Sequence, residues 1–233
     1  MVLVVHSSNF RIRGFTERPS VESLARALPP EVLLVVDQGS GAISETLPGE
    51  QHVGRLLKAG AHLVCFSADK LLGGPQAGLI VGRRDLVETL SRHPLNRVFR
   101  PGKTVVTLLE EFLVRRLNGE LAGAAETAMR VGAGELRRRG RSLLRGLDPD
   151  RARLVDSTLA TGGGSAPDEG FPSVAIELAC AQEAQELLER LRRGEPAVIG
   201  TIRDGRVLLD LSTVLPEDLP PLRRALQALL TPR

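Results

Sequence analysis

The fold of this chain is indicated by the stretch Ser67-Ala68-Asp69-Lys70-Leu71-Leu72-Gly73-Gly74-Pro75-Gln76-Ala77-Gly78. This stretch follows the apolar run Leu63 to Phe66 and precedes the apolar run Leu79 to Val81, so we expect a glycine-rich turn between two strands. A lysine among small residues at a strand end can form a Schiff base with a carbonyl compound, because the backbone approaches closely and a sheltered amine loses its proton more easily. Lys70 is therefore predicted to bind a carbonyl group.

Composition limits the class of protein. The 233 residues are 42% apolar and 25% charged, enough for the core of one large domain or two modest ones. The net charge of +3 permits a polyanionic partner without requiring one, and the lack of Trp and Tyr argues against base-stacking surfaces. Cys65 and Cys180 fit no disulfide spacing, the four histidines fit no metal site, and no apolar run is long enough to span a bilayer. We therefore expect a soluble cytoplasmic protein without a bound metal.

Strands and helices alternate in the first part of the chain. Apolar runs predict strands at Val2 to Val5, Val32 to Val36 and Leu63 to Phe66. Helices are predicted between them, one capped by Ser20 and continuing to Leu28, the other from Gln51 to Ala59. Continuous apolar runs are typical of parallel strands covered on both faces. The pattern predicts an α/β layer with functional loops at the carboxyl ends of its strands.

The later part of the chain changes in character. Helical patterns run from Asp85 to Arg92 and from about Thr104 to Leu117, and one or two helices are predicted between Leu121 and Leu147. After residue 150 the chain contains both strand and helix patterns. The predicted strands are Leu154 to Thr161, Val174 to Leu178, Ala197 to Ile202 and Val207 to Leu211. The predicted helices are Gln182 to Arg193 and Glu217 to Leu230. We expect part of a large domain at 1–121, and a helical linker with a small α+β domain at 122–233.

Asp37 and Lys70 follow successive predicted strands, 33 residues apart. Neighbouring strand ends would bring them together. That arrangement suits pyridoxal phosphate, because a lysine forms the Schiff base and a carboxylate keeps the pyridine nitrogen protonated. The alternative is that Asp37 caps a helix and Lys70 is a surface lysine. Spacing alone leaves both interpretations open.

Several short blocks of sequence resemble those of one enzyme family, both in their residues and in their order along the chain. In the first half these blocks are Val5-His6-Ser7-Ser8-Asn9-Phe10-Arg11-Ile12 with Gly14-Phe15-Thr16, Asp37-Gln38-Gly39-Ser40-Gly41, Phe66 to Gly78, and His93-Pro94-Leu95 with Arg97 and Arg100. In the second half they are Gly162-Gly163-Gly164-Ser165 with Pro167-Asp168-Glu169, Val198-Ile199-Gly200, Asp204-Gly205-Arg206 and Leu209-Asp210-Leu211. The chain resembles bacterial selenocysteine synthase, the family of L-seryl-tRNA(Sec) selenium transferases, over nearly its whole length.

The resemblance implies a fold and a reaction. The fold would be α/β: the C-terminal part of the large domain of a fold-type I pyridoxal phosphate enzyme, mainly a parallel sheet, with a smaller α+β domain. The reaction would convert seryl-tRNA(Sec) to selenocysteinyl-tRNA(Sec) with selenophosphate, through an aminoacrylate intermediate. Family members form rings of dimers, so a homo-oligomer is implied. They are also about twice as long, so we expect an N-terminally truncated chain with an incomplete cofactor pocket and with Val2 to Val5 at an exposed sheet edge.

The resemblance also assigns roles near the lysine. Lys70 would be the Schiff-base lysine and a general base, and Asp37 would bind the pyridine nitrogen. Asp69 corresponds to a family residue near the reaction centre, although it could be a turn carboxylate. His6 is a candidate cofactor contact, and a structural histidine is an equal alternative.

Two groups of arginines are candidate anion sites. Arg97 and Arg100 align with family arginines suited to binding the selenium donor, since paired guanidinium groups hold an oxyanion; the alternative is a solvated basic loop. The cluster Arg137 to Arg141 could contact tRNA phosphates or be a solvated helix face.

Two other functions stay open from the sequence. One is a different fold-type I pyridoxal phosphate lyase or transferase. The other is a non-catalytic interaction fragment, in keeping with the expected truncation.

Overall fold

The computed structural model describes residues 1–6, 14–44, 50–120, 123–160, 170–179 and 183–230. The chain forms two compact units: the first includes Met1–Thr127, and the second includes Ala128–Leu159 and the residues from Gly170 onward. Nothing in the described ranges forms a helix with both the length and the apolar character that crossing a membrane requires.

The first unit alternates strands and helices before ending in helices. Its elements are β1 (Val2–Val5), α1 (Val21–Ala27), β2 (Leu34–Gly39), α2 (Val53–Lys58), β3 (Leu63–Ser67), β4 (Gly78–Gly82), α3 (Arg84–Arg92), α4 (Pro94–Phe99), α5 (Lys103–Leu117) and α6 (Ala124–Arg130), which continues into the second unit. The sheet has the order β1-β2-β3-β4, with β1, β2 and β3 parallel and β4 antiparallel to β3. The predicted strand, helix, strand alternation and the parallel sheet are confirmed.

Local sequence explains the boundaries of these helices. The Ser20 hydroxyl accepts a hydrogen bond from the Ser23 amide at 3.0 Å, so the predicted N-cap of α1 is confirmed. The His52 ring caps α2 through Nδ1, which accepts from the Arg55 amide. One prediction was incomplete: Pro94 ends α3, as expected, but it also occupies the first turn of α4, where a missing N–H costs nothing.

The two faces of this sheet differ in burial. Directly paired residues share a face, because side chains alternate along a strand. One cross-strand row packs against the core beneath α1, α2 and α5 and consists of Val4, Val36, Val64 and Val81. The row on the opposite face consists of Val5, Asp37, Cys65 and Ile80. On that open face Val5 is 58% exposed and Ile80 is 50% exposed, and the expected exposure of β1 at the sheet edge is confirmed.

The second unit is an α+β layer. Its elements are α7 (Ala133–Leu144), β5 (Ala152–Ala160), β6 (Gly170–Leu178), α8 (Ala184–Arg192), β7 (Thr201–Arg203), β8 (Arg206–Asp210) and α9 (Leu219–Leu230). The sheet order is β5-β6-β8-β7, and β8 is antiparallel to both β6 and β7. The predicted tight turn at Asp204 and Gly205 is confirmed, since both have positive φ.

The core of this unit lies between its helices and one face of its sheet. It includes Leu136 and Leu143 of α7, Ile176 of β6, and Leu222 and Leu226 of α9. One strand prediction was wrong over most of its length: the run Ala197 to Ile202 forms a strand only from Thr201, because the four residues before it make no ladder with β8.

Candidate active site

The loops that follow β2 and β3 are joined to each other. The Leu71 amide, one residue after Lys70, donates a hydrogen bond to the Ser40 carbonyl at 3.0 Å. Gly41 has a φ of +77°, and a Cβ placed on it would lie 2.4 Å from the Ser67 carbonyl oxygen. Only glycine suits this position, because it accepts positive φ and leaves room for the neighbouring backbone. The carboxyl ends of two adjacent parallel strands therefore meet here, as the sequence predicted.

The lysine loop is held by its own backbone. The Ala68 amide donates to the Ala77 carbonyl and the Gly74 amide to the Ala68 carbonyl, each at 2.8 Å. Leu71 and Leu72 are buried, whereas Asp69 and Lys70 are exposed. The loop is thus anchored by two leucines and presents the Lys70 amine outward.

A second support for the lysine loop comes from the segment after α5. A Cβ placed on Gly123 would lie 3.0 Å from the carbonyl oxygens of both Leu71 and Leu72. The backbone at Gly123 therefore packs closely against the loop. Nearby, Arg116 of α5 forms a largely buried ion pair with Glu126 of α6.

Asp37 lies on the open face of the sheet, half-buried and directly paired with Cys65 of β3. Burial raises the pKa of the Cys65 thiol, and the nearby Asp37 carboxylate raises this pKa further. The Cys65 thiol also donates to the Val36 carbonyl at 3.6 Å. A raised pKa favours the protonated thiol, which argues against Cys65 as a nucleophile.

His6 lies beside Asp37 and is held by a buried carboxylate. Its amide donates to the Asp37 carbonyl at 2.8 Å, and its Nε2 lies 3.4 Å from Oε2 of Glu50. The Glu50 side chain is 1% exposed. The Ser40 hydroxyl donates to the same Glu50 oxygen at 2.6 Å, so Glu50 joins the end of β1 to the loop after β2.

Gln38 completes this polar network. Its side-chain amide donates to the Ser40 hydroxyl at 2.6 Å, and its Oε1 accepts from the Gly41 amide at 2.7 Å. Gln38 and Ser40 are fully buried. The sequence predicted no role for Gln38 or Ser40 and gave no indication of Glu50. No local pattern in the sequence signals the contact between Glu50 and His6.

The other three histidines have structural contacts. His52 and His93 cap α2 and α4 through Nδ1, and Nδ1 of His62 accepts from the Leu34 amide at 2.9 Å. In the described part of the chain, no three His, Cys, Asp or Glu side chains are grouped as metal ligands. Three of the blocks that carry the family resemblance, or parts of them, lie outside the described residues: 7–12, 162–165 and 167–169.

Arg97 and Arg100 lie in and directly after α4. Both are exposed, and at three residues apart on a helix they are neighbours on one face. Among the described residues, neither forms an ion pair or a side-chain hydrogen bond, and no hydrogen bond links them to the lysine loop. Polar contacts thus connect His6, Asp37 and the lysine loop through Glu50 and Ser40, and within the described residues no hydrogen bond connects the two arginines to them.

The class of protein follows from the fold and from two features of the first sheet. A lysine loop follows one parallel strand, and a carboxylate lies on the neighbouring strand. The chain has the α/β fold of fold-type I pyridoxal phosphate-dependent enzymes, as predicted. It superposes on the solved structure of a D-glucosaminate-6-phosphate ammonia-lyase with a TM-score of 0.60, over 98% of this chain and 56% of that one. Their 20% sequence identity makes this a likeness of fold alone.

The family follows from the sequence comparison. A family model described as L-seryl-tRNA selenium transferase matches residues 1–215, and the chain belongs to this family. The L-seryl-tRNA(Sec) selenium transferase of Geobacter metallireducens is 38% identical over 243 residues, which cover 98% of this chain and 53% of that protein. That of Moorella thermoacetica is 39% identical over 244 residues, 97% of this chain and 51% of that protein. The chain thus spans about half the length of these curated relatives.

Proposed function

We propose that this chain carries the lysine-bearing part of a pyridoxal phosphate-dependent selenium transferase that converts seryl-tRNA(Sec) to selenocysteinyl-tRNA(Sec) with selenophosphate. The observation that carries the proposal is the hydrogen bond from Leu71 to Ser40, which holds the Lys70 loop against the loop after β2. Family membership over residues 1–215 supports the choice of reaction. We also propose a cytoplasmic location and the division into 1–121 and 122–233.

The residues present fit the cofactor. Lys70 is exposed on an anchored loop and would bind the cofactor's carbonyl carbon, Asp37 on the open sheet face would bind the ring nitrogen, and His6, held by Glu50, would contact the ring. When bound, pyridoxal phosphate withdraws electrons from the substrate's α-carbon.

Each residue has a proposed task in the reaction. Once the amino group of the seryl substrate has displaced Lys70 from the cofactor's carbonyl carbon, the freed Lys70 amine would remove the α-proton of the seryl group as general base. Asp37 would keep a proton on the ring nitrogen by accepting a hydrogen bond from it, and Asp69, exposed beside Lys70, would lie near the reacting carbon. Arg97 and Arg100 would bind the anionic selenium donor through their guanidinium groups when the donor approaches the lysine loop.

Exposed apolar side chains support a homo-oligomer. They lie on α4 and α5 and include Leu95, Val98, Phe99, Leu108 and Leu117. Exposed apolar side chains concentrated on consecutive helices are typical of a protein interface. Self-association through α4 and α5 is therefore part of the proposal.

Borohydride trapping tests the role of Lys70. The chain contains three lysines, Lys58, Lys70 and Lys103. The chain is incubated with pyridoxal phosphate, reduced and mapped by mass spectrometry. We expect the label on Lys70, its loss in Lys70→Ala, and no change in the matched controls Lys58→Ala and Lys103→Ala. Equal labelling of all three lysines, or none at Lys70, would contradict the assignment.

A second experiment tests the reaction. Labelled seryl-tRNA(Sec) and selenophosphate are supplied to the chain together with the remaining part of a family member. Formation of selenocysteinyl-tRNA(Sec) supports the transferase. A different lyase is the alternative suggested by the ammonia-lyase likeness, and it would release an amine or hydroxyl group without taking up selenium. Absence of any cofactor label would favour a non-catalytic fragment.

A further inference from the structure

An arginine-lined surface cavity lies between α7 and α9 of the second unit. Its volume is about 710 Å³. We call this cavity the arginine cavity. Its lining residues are Arg138, Arg139, Arg141, Ser142 and Leu143 of α7, the α7 C-cap residue Arg145, and Leu219, Pro220 and Arg223 of α9. The cavity is far in sequence from the lysine loop, and every lining residue belongs to the second unit. No residue of the lysine loop lines this cavity.

The charge of the arginine cavity is strongly positive. Five of its nine lining residues are arginines and none is acidic. Glu135, at the start of α7, contacts both Arg138 at 2.5 Å and Arg139 at 2.9 Å, so one carboxylate offsets two guanidinium groups. The hydrogen bond from Arg139 and the charges of both arginines lower the pKa of Glu135.

The remaining three arginines are uncompensated. Arg141, Arg145 and Arg223 form no ion pair with any described residue. Two acidic residues, Glu217 and Asp218, precede α9, but neither lines this cavity, and Asp218 lines a different one with Pro196 and Leu209. The positive charge of the cavity is thus left for a partner.

The spacing along α7 fits a repeating anion. Arg138 and Arg141 are three residues apart on α7, and the C-cap residue Arg145 follows four residues later, so the three form a row that runs to the end of the helix. Seven residues of helix extend about 10 Å. One strand of a B-form DNA duplex carries a phosphate about every 3.4 Å along its axis, so by this measure the row spans about three phosphates of one duplex strand. Arg223 faces the same cavity from the other wall.

The lining also excludes other modes of recognition. It contains no aromatic side chain, so bases would not stack in it. Its apolar residues, Leu143, Leu219 and Pro220, make no projecting apolar face of the kind that enters a lipid surface. Guanidinium groups bind phosphate oxygens bidentately without reading sequence.

We propose that the arginine cavity binds the phosphate backbone of an RNA duplex. The proposal rests on the proposed function only in taking RNA, rather than DNA, as the nucleic acid. The contact is electrostatic and independent of base sequence. It adds an RNA-binding surface in the second unit, made by α7 and α9.

Matched arginine variants test this proposal. The cavity variant combines Arg141→Gln, Arg145→Gln and Arg223→Gln. The control variant combines Arg84→Gln, Arg192→Gln and Arg203→Gln, three exposed arginines outside the cavity, so both lose the same net charge. Binding of a labelled RNA duplex to the full chain is measured by fluorescence anisotropy from about 50 to about 200 mM salt. Circular dichroism checks that both variants are folded.

We expect the cavity variant to bind at least about tenfold more weakly. Its salt slope should be lower by about 2.7, which is three phosphates at the B-form duplex value of about 0.9 each. The control variant should stay within about twofold of the unsubstituted chain. Equal losses in both variants, or no loss in either, would overturn the proposal, as would cavity-dependent binding to phosphatidylglycerol vesicles without RNA binding. The Lys70→Ala variant separates the two proposals: it should lose cofactor labelling and keep full RNA binding.

Discussion

Substituting Gly41 by alanine should separate the two loops that form the candidate site. Gly41 has a φ of +77°, and an L-residue in this region costs roughly 1–2 kcal/mol. The new Cβ would lie 2.4 Å from the Ser67 carbonyl oxygen, closer than real Cβ contacts, and both atoms belong to the backbone or are fixed to it. To relieve this close contact, the loop after β2 must move away from Ser67. That movement would lengthen the hydrogen bond from the Leu71 amide to the Ser40 carbonyl, which contributes about 1 kcal/mol. The total loss in unfolding free energy is therefore roughly 2–3 kcal/mol.

Gly119 provides a matched control for this experiment. It has nearly the same φ, +75°, but a Cβ placed on it meets no atom within 4 Å. Gly119→Ala should therefore cost only the conformational part, about 1–2 kcal/mol. Urea unfolding followed by far-ultraviolet circular dichroism measures both variants. Hydrogen exchange of the Leu71 amide gives the local result: it should become faster in Gly41→Ala and stay unchanged in Gly119→Ala.

The comparison of the two glycine variants can refute the reasoning. If Gly41→Ala costs no more than Gly119→Ala and leaves exchange at Leu71 unchanged, the close approach of Gly41 to Ser67 is not a feature of the folded protein. The joined site would then lose its main support. A larger loss without faster exchange at Leu71 would place the strain elsewhere and equally contradict the predicted shift.

Three further changes have defined outcomes. Asp37→Asn removes a charge that raises the pKa of the Cys65 thiol, so this pKa should fall. Alkylation of Cys65 near neutral pH, followed by peptide mapping, should then become faster. An unchanged rate would contradict the proximity of Asp37 and Cys65. Leu226→Ala deletes a fully buried side chain and should lower the unfolding free energy by about 2–5 kcal/mol in urea titrations, whereas a loss below about 1 kcal/mol would contradict its place in the core. Glu126→Gln leaves the Arg116 guanidinium buried without its carboxylate and should cost about 3 kcal/mol in the same assay; a neutral result would mean that water reaches Arg116.

Local patterns in the sequence predicted the parts of the fold that local physics determines. The apolar runs before Asp37 and Lys70 are strands because their side chains are buried within a parallel sheet, and Ser20 begins a helix because its hydroxyl satisfies an end amide. The sequence did not predict α4, where Pro94 both ends one helix and begins another. Proline is compatible with either boundary, so its position alone does not distinguish them.

Long-range contacts explain what the sequence could not predict in the site. Glu50 follows β2 by eleven residues and still reaches back to Ser40 and to His6 of β1. This contact depends on the order of strands in the sheet, which no local pattern specifies. The lysine loop, in contrast, is recognisable because its glycines and leucines are consecutive in sequence.

The exposure of the open face of the sheet affects two steps of the proposed chemistry differently: attachment of the cofactor to Lys70, and the interaction of Asp37 with the ring nitrogen. Attachment of the cofactor to Lys70 needs only an accessible amine, and Lys70 is exposed. The interaction between Asp37 and the ring nitrogen is different, because its strength depends on the local dielectric: an ion pair at about 4 Å is worth about 1 kcal/mol in water and about 4 kcal/mol near a protein surface with lower effective dielectric. Val5 and Ile80, on either side of Asp37 and Cys65 in the same cross-strand row, are at least half exposed, so water has access to this face. Cofactor labelling of Lys70 should therefore be possible in this chain as it stands, whereas efficient transfer requires a covering layer over Val5 and Ile80 that excludes water from Asp37.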